Sequence, residues 1–309
     1  MKTKTNFSKE VILITGCSSG IGIALAKKLY DLNEFKVVIT ARSKSIEMLK
    51  NQFKENSCFI IREMDLNKSD HVNNLVSEVF NLWGRIDILV NNAGVCYRSV
   101  VEQMDEKSEL QQMQTNYLSA FQLIRLLLPS MRERKYGKII NISSVSGILG
   151  MPTMSSYSAS KHALEGASIS LWYEMRQFGI SVTIARPGFI NSTAYKRVVL
   201  SKKAQLASAL NGPYSEYYKF ISPFVEKFMK ISFCDSNKAA NKVLRLVKKK
   251  NPPAIVSITL DAIIFEILQK LLPSTLFLKF ISVFLPNGRT NRKSITDSAD
   301  SSKFKIQTT

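Results

Sequence analysis

Val11-Ile-Leu-Ile-Thr15-Gly16-Cys-Ser-Ser-Gly20-Ile-Gly22 decides the fold. A short unbroken apolar run reads as a parallel strand buried on both faces. A glycine-rich turn follows it directly, and Ile21, Leu25 and Leu29 then recur at helical spacing. Glycines at a strand-to-helix turn let backbone amides approach a pyrophosphate, whose charge the helix N-terminus favours. The spacing is G-x-x-x-G-x-G rather than G-x-G-x-x-G, and a plain structural turn is the competing reading. The strand before and the helix after favour a dinucleotide site, with Gly16, Ser18, Ser19, Gly20, Ile21 and Gly22 as candidate contacts.

The same alternation continues outward. Lys36–Thr40, Cys58–Ile61, Ile86–Val90, Lys138–Ile142 and Ser181–Ala185 read as further strands. Val72, Leu75, Val76, Val79 and Phe80 mark an amphipathic helix, a long helix is expected from Glu106 to about Leu128, and another from Tyr157 to about Gln177. Strands separated by helices imply right-handed crossovers and an α/β, doubly wound parallel sheet. Ligands of such sheets bind beyond the carboxyl ends of the strands. Three motifs fall there: the Gly16 turn, Asn91-Asn-Ala-Gly94 and Ser144.

Tyr157-Ser-Ala-Ser-Lys161 carries the chemistry. A tyrosine and a lysine four apart share one helix face. An ammonium beside a phenol favours phenolate, so the Tyr157 pKa is expected to fall from about 10 toward neutral pH. Ser144 supplies a hydroxyl to hold a substrate oxygen. With a dinucleotide site, this reads as hydride transfer at a carbonyl or alcohol. Asn116 interrupts an otherwise apolar helix, where a bound water, a backbone partner or simple exposure would explain it.

Cofactor preference is set after the second strand. An acid there would bind a ribose 2′-hydroxyl, but the stretch is Thr40-Ala-Arg42-Ser43. Arg42 is suited to a 2′-phosphate, which favours NADP(H) and leaves NAD(H) as the alternative. Asp65 and Leu66 follow the third strand, where Asp65 is either an adenine contact or an ordinary cap. Asn92, Ala93 and Gly94 form a small-residue turn that lets the chain pass close to the cofactor ribose. Pro187 and Gly188 end the sixth strand, and Ile190, Ser192 and Thr193 follow where a loop can touch the nicotinamide carboxamide.

Composition bounds the rest. The chain has 309 residues, 45% of them hydrophobic, enough for a large buried core. Its net charge of +19 admits an anionic membrane surface or an acidic ligand, but no nucleic-acid motif is present and the lysines are dispersed. Cys17, Cys58, Cys96 and Cys234 lack the spacing of a metal site or a disulfide framework. With no secretory signal at the N-terminus, the expectation is a cytoplasmic protein, peripheral on a membrane if the apolar segment near its end binds lipid.

Together these motifs resemble the short-chain dehydrogenase/reductase family over about residues 9 to 195. The resemblance implies a Rossmann-like sheet of about seven strands in order 3-2-1-4-5-6-7. It also implies a catalytic tetrad of Asn116, Ser144, Tyr157 and Lys161, and a homodimer or homotetramer through the helices around Asn116 and Tyr157. In that family pattern Tyr157 exchanges the proton, Lys161 lowers its pKa and binds the nicotinamide ribose, Ser144 orients the substrate oxygen, and Asn116 holds a relay water. No metal is implied. The turn and the Tyr157 helix look most like the steroid and retinol dehydrogenase side, which implies a small hydrophobic alcohol or ketone of steroid, retinoid or fatty-chain type. Ser192 stands where the family often has Thr, with Thr193 beside it to take the contact. The alternatives are an idle dinucleotide-binding protein and a membrane-associated lipid-binding protein.

Three further boundaries are expected. Residues 1–258 form the catalytic domain, within which the Tyr- and Phe-rich stretch 191–234 is an insertion over the substrate. Residues 259–286 form an apolar helical extension that roofs the pocket or lies on a membrane, since no stretch reaches the roughly 20 apolar residues of a span. Residues 287–309 are polar and Ser/Lys-rich, a composition of disorder.

Overall fold

The computed structural model describes residues 9–191, 199–209 and 214–285. Its frame is strand, helix, strand: β1 (Val11–Ile14), α1 (Gly20–Leu32), β2 (Lys36–Ala41), α2 (Ile46–Gln52), β3 (Phe59–Glu63), α3 (Ser69–Trp83) and β4 (Ile88–Asn91). Then come β5 (Tyr97–Arg98), α4 (Glu106–Met113), α5 (Ser119–Glu133), β6 (Gly137–Ile142), α6 (Ser155–Met175) and β7 (Ile180–Arg186). The remainder is β8 (Val199–Leu200), α7 (Lys202–Ala209), α8 (Ser215–Ile231), α9 (Ser236–Lys248), β9 (Ile255–Ser257), α10 (Leu260–Leu271) and α11 (Ser274–Phe284).

The main sheet has order β3-β2-β1-β4-β6-β7-β9, with every pairing parallel. This is the expected seven-strand order, with β9 as the last strand. Strand periodicity builds two cores. Ile12 and Ile14 face α1 and α9 through Leu25, Leu29 and Val243. Val11 and Leu13 face α3 and α5 through Val72, Leu75, Leu123 and Leu127. The strand ends are thereby locked between two helical layers, which is what holds the loops above them in place.

The long helix expected from Glu106 is interrupted. A π turn over Gln114–Leu118 separates α4 from α5, and Pro129 lies inside α5 rather than after it. Pro129 and Arg125 four residues earlier are both exposed, so water reaches the carbonyl the proline cannot serve. The π turn carries Asn116 and marks a site where side-chain bonding outweighs regular helix geometry.

β8 and α8 are tied to the loop after β4. β5 pairs in parallel with β8. From α8, the Tyr218 hydroxyl accepts from Val100 N (2.9 Å) and donates to Gln103 Oε1 (2.9 Å). Among the described residues no helix is long and apolar enough to cross a membrane.

Candidate active site

The glycine turn is built for close approach. Gly16 has φ +70° and Gly20 φ +58°, a region that favours glycine. A Cβ on Gly16 would stand 2.6 Å from Ala93 Cα, and one on Gly22 would stand 2.5 Å from both Asn92 Nδ2 and Gly16 O. Thr15 fastens the two loops: its Oγ1 accepts from Asn92 N (3.0 Å) and Ala93 N (2.9 Å). Asn92 Nδ2 returns bonds to Thr15 O (2.9 Å) and Gly16 O (3.0 Å). The first turn of α1 holds no acid, which leaves its N-terminal field uncancelled.

One cavity of about 450 Å³ gathers the predicted residues. Gly16, Ser18, Ser19, Gly20 and Ile21 form one wall, and Arg42, Asp65 and Leu66 line the region beyond β2 and β3. Asn92, Ala93 and Gly94 continue that lining, and Ser144, Tyr157, Lys161, Pro187, Gly188 and Ile190 complete it. Two predicted residues stand behind it. Gly22 packs inside the turn, and Asn116 is buried in the π turn. Thr193 and Ser192 lie outside the described residues. Asp65 also caps its own turn, its Oδ1 accepting from Asn67 N (3.0 Å), which is the cap reading of it.

Asn116 clamps the loop after Gly94. Its Oδ1 accepts from Val95 N (2.8 Å), and its Nδ2 donates to Val95 O (2.9 Å) and Ser160 Oγ (2.9 Å). This is the backbone partner that explains a mid-helix asparagine. Lys161 Nζ donates to Ile142 O (2.9 Å) and sits 5.8 Å from the centre of the Tyr157 ring. Ser144 Oγ accepts from Ser146 N (3.1 Å), and Ser144 and Tyr157 line the same cavity.

The electrostatics differ from the expectation that Lys161 lowers the Tyr157 pKa. Burial pushes the Tyr157 phenol well above its usual value, with Cys96 adding to the rise; Ser144 and the Arg98 charge oppose it only in part. Lys161 itself is driven from 10.5 down to about 8 by burial, against the opposing pull of Glu165 and Cys96. Lys161 is buried and Tyr157 half-buried, and desolvation outweighs the charges around each. Behind them, Glu165 accepts from Ser143 Oγ (2.6 Å) and from Arg186 Nη2 (2.6 Å) in a buried pair.

The sequence reading missed several residues of this site. Cys96 and Tyr97 line the cavity, and their position just past Gly94 was a usable signal. Met229 of α8 and Val199 of β8 also line it, and nothing in their local sequence marks them. The Ser143–Glu165–Arg186 cluster was legible in part, since Glu165 falls one helical turn after Lys161.

Comparison with known proteins agrees with this geometry. The family described as short chain dehydrogenase matches residues 10–204. The chain is 32% identical over 244 residues to 3-ketodihydrosphingosine reductase of Bacteroides thetaiotaomicron, covering 79% of this chain and 86% of that one. A short-chain dehydrogenase from Streptomyces avermitilis superimposes with TM-score 0.72 at 27% identity, over 90% of this chain and 95% of its own. A metagenomic short-chain oxidoreductase in complex with NADP gives TM-score 0.60 at 25% identity, over 82% of this chain and 98% of its own. With its seven-strand parallel sheet and its glycine turn, the chain belongs to the short-chain dehydrogenase family.

Proposed function

We propose that this protein is an NADP(H)-preferring oxidoreductase that reduces an apolar ketone, or oxidises the matching alcohol, of steroid, retinoid or fatty-chain type. The observation that carries it is the convergence of Ser144, Tyr157 and Lys161 on the cavity whose other end is the glycine cradle. The cradle fits a nicotinamide dinucleotide: Gly16 leaves room where any Cβ would clash, and the α1 N-terminus bears no acid. Arg42 would hold the 2′-phosphate, and the amides near Ser18 to Ile21 the pyrophosphate. The bound cofactor supplies or accepts the hydride.

The chain's own residues do the rest. Ser144 orients the substrate oxygen and steadies its developing charge. Tyr157 holds its proton through neutral pH because burial raises its pKa, so it is ready to donate as a ketone becomes an alcohol. Lys161 places a positive charge beside the phenol as it loses that proton. Asn116 fixes the Val95 backbone and, through Ser160, the first turns of α6. An apolar substrate is supported by Val95, Val199 and Met229 in the lining, and by the relative whose name makes a ketone its substrate. Self-association is supported by exposed Leu118 and Leu126 near or on α5 and by Ile169 and Tyr173 on α6.

The test is binding and turnover together. Fluorescence titration is expected to give tighter binding of NADPH than of NADH, and Arg42→Ala to weaken NADPH by roughly 10- to 100-fold with NADH unchanged. NADPH consumption with ketones of increasing chain length is expected to rise in kcat/KM with length. Equal binding of both cofactors would remove the NADP(H) assignment, and no turnover with any apolar ketone would remove the substrate class.

A further inference from the structure

Apolar side chains occur on both the inner and the outer sides of α10 and α11, with Asp261, Glu266, Lys270 and Lys279 set among them. Their inner side packs Phe277 and Ile281 onto Leu149. Their outer side leaves Leu260 (64%), Leu271 (74%), Leu278 (61%) and Val283 (76%) open to solvent, with Ile264 and Ile267 beside them. A helix with apolar stripes on two sides is normally covered on both. Leu260, Ile264, Ile267 and Leu271 fall at i, i+4, i+7 and i+11 on one stripe of α10, and an open apolar stripe of this kind marks a contact with something else.

The charges say what that contact is. Asp261 faces inward, its Oδ2 accepting from Phe189 N (2.7 Å). Glu266 also faces the protein, accepting from Ser257 Oγ (2.6 Å) with Arg186 Nη1 at 3.6 Å. Lys270 and Lys279 stay exposed. Glu266 also accepts from Lys270 Nζ (2.8 Å), so Asp261 is held by the protein, Glu266 is shared between the protein and Lys270, and Lys279 carries the hairpin's outward positive charge. The chain that follows adds Arg289, Arg292, Lys293, Lys303 and Lys305 against Asp297 and Asp300, within a protein of net charge +19.

We propose that the outer face of α10 and α11 docks on a bilayer surface rich in anionic phospholipid. The helices have 12 and 11 residues, too short for the roughly 20 residues of a span, so they lie in the plane of the interface. The apolar side chains enter the acyl boundary, and the lysines meet the headgroups. A second copy of the chain is a poorer occupant. In a twofold contact the same patch meets itself, which brings lysine against lysine. The hairpin also braces the loops that border the cavity. Thr259 Oγ1 accepts from Gly188 N (2.8 Å), and Gln269 Nε2 donates to Ile148 O (2.9 Å). Docking therefore bears on the loops on either side of Ser144 and Pro187, although the proposal itself does not rest on the enzymatic reading.

The experiment is flotation of the full chain with vesicles of phosphatidylcholine alone and of an equal mixture of phosphatidylcholine and phosphatidylglycerol. Wild type is expected on the mixed vesicles and much less on the neutral ones. The double variant Leu271→Ser, Val283→Ser should lower partitioning by roughly tenfold or more, with circular dichroism and NADPH binding unchanged. Lys270→Gln with Lys279→Gln should lower partitioning onto mixed vesicles by roughly tenfold and leave neutral vesicles as they were. Wild type that floats with neither vesicle overturns the proposal, as does wild-type partitioning by the serine variant. A fall in solution mass of the serine variant, measured by light scattering, would make the face a contact between copies and overturn it as well.

Discussion

Residues 9–191 and the described residues between 199 and 285 solve different problems. In the first stretch each loop at the sheet's carboxyl edge is fixed by particular atoms: Thr15 to Asn92 and Ala93, Asn116 to Val95, Lys161 to Ile142. In the second, α9 and β9 complete the core and the sheet, while α7, α8, α10 and α11 are held by apolar contact and a few tethers, with many of their apolar side chains open. Cofactor chemistry demands given residue types at given distances. An apolar substrate demands volume and shape, which many sequences supply.

The sharpest way to break this contrast is Tyr157→Phe. Removing the phenolic proton while keeping the ring should lower kcat by about 10³-fold, within the usual range for a general acid. NADPH affinity should stay within a fewfold of wild type. A variant that turns over normally would show that the two stretches do not divide into chemistry and shape.

The same contrast explains what was legible. The Gly16 turn, the Asn91–Gly94 turn and the Tyr157–Lys161 pair were readable because backbone approach and proton transfer admit few substitutes. The parallel, doubly wound sheet followed from the alternation of apolar runs and helical stripes, the seven-strand order came from the family resemblance, and β9 at Ile255–Ser257 was the weakest signal. The π turn at Asn116 was not readable, since it arises from a bond to Val95, 21 residues away in sequence. The Tyr157 pKa was read in the wrong direction because a spacing of four residues reveals a neighbouring charge but not the burial of both groups. Met229 and Tyr218 were invisible for a related reason: their roles depend on where α8 lies, which its own sequence does not state.

Lys161 sharpens the comparison from the side of stability. Its pKa falls from 10.5 unfolded to about 8 folded, so between those values the unfolded chain binds the extra proton. Stability from this group therefore rises with pH across that window, and its burial cost is fully present below about pH 8. Lys161→Met should remove that cost, offset in part by the lost bond to Ile142 O, for a net gain of about 2 kcal/mol near neutral pH. Urea titrations at about pH 7 and about pH 10 check it: the gain should shrink at the higher pH, while turnover is lost at both. A destabilised variant near neutral pH would mean that Lys161 is held mainly for the fold.

The smallest expected effect probes the tether between the two stretches. Tyr218→Phe removes the hydroxyl that accepts from Val100 N and donates to Gln103 Oε1, leaving a part-buried amide without its partner. Such a loss costs about 1–2 kcal/mol, and here it falls on the seating of α8 rather than on the sheet. Because Met229 of the same helix lines the cavity, KM for an apolar ketone should rise several-fold with kcat little changed. NADPH affinity should not move, since the cradle is braced by Thr15 and Asn92 alone of these contacts. A fall in NADPH affinity as large as the rise in KM would mean that α8 closes over the whole cavity, and that the two stretches act as one.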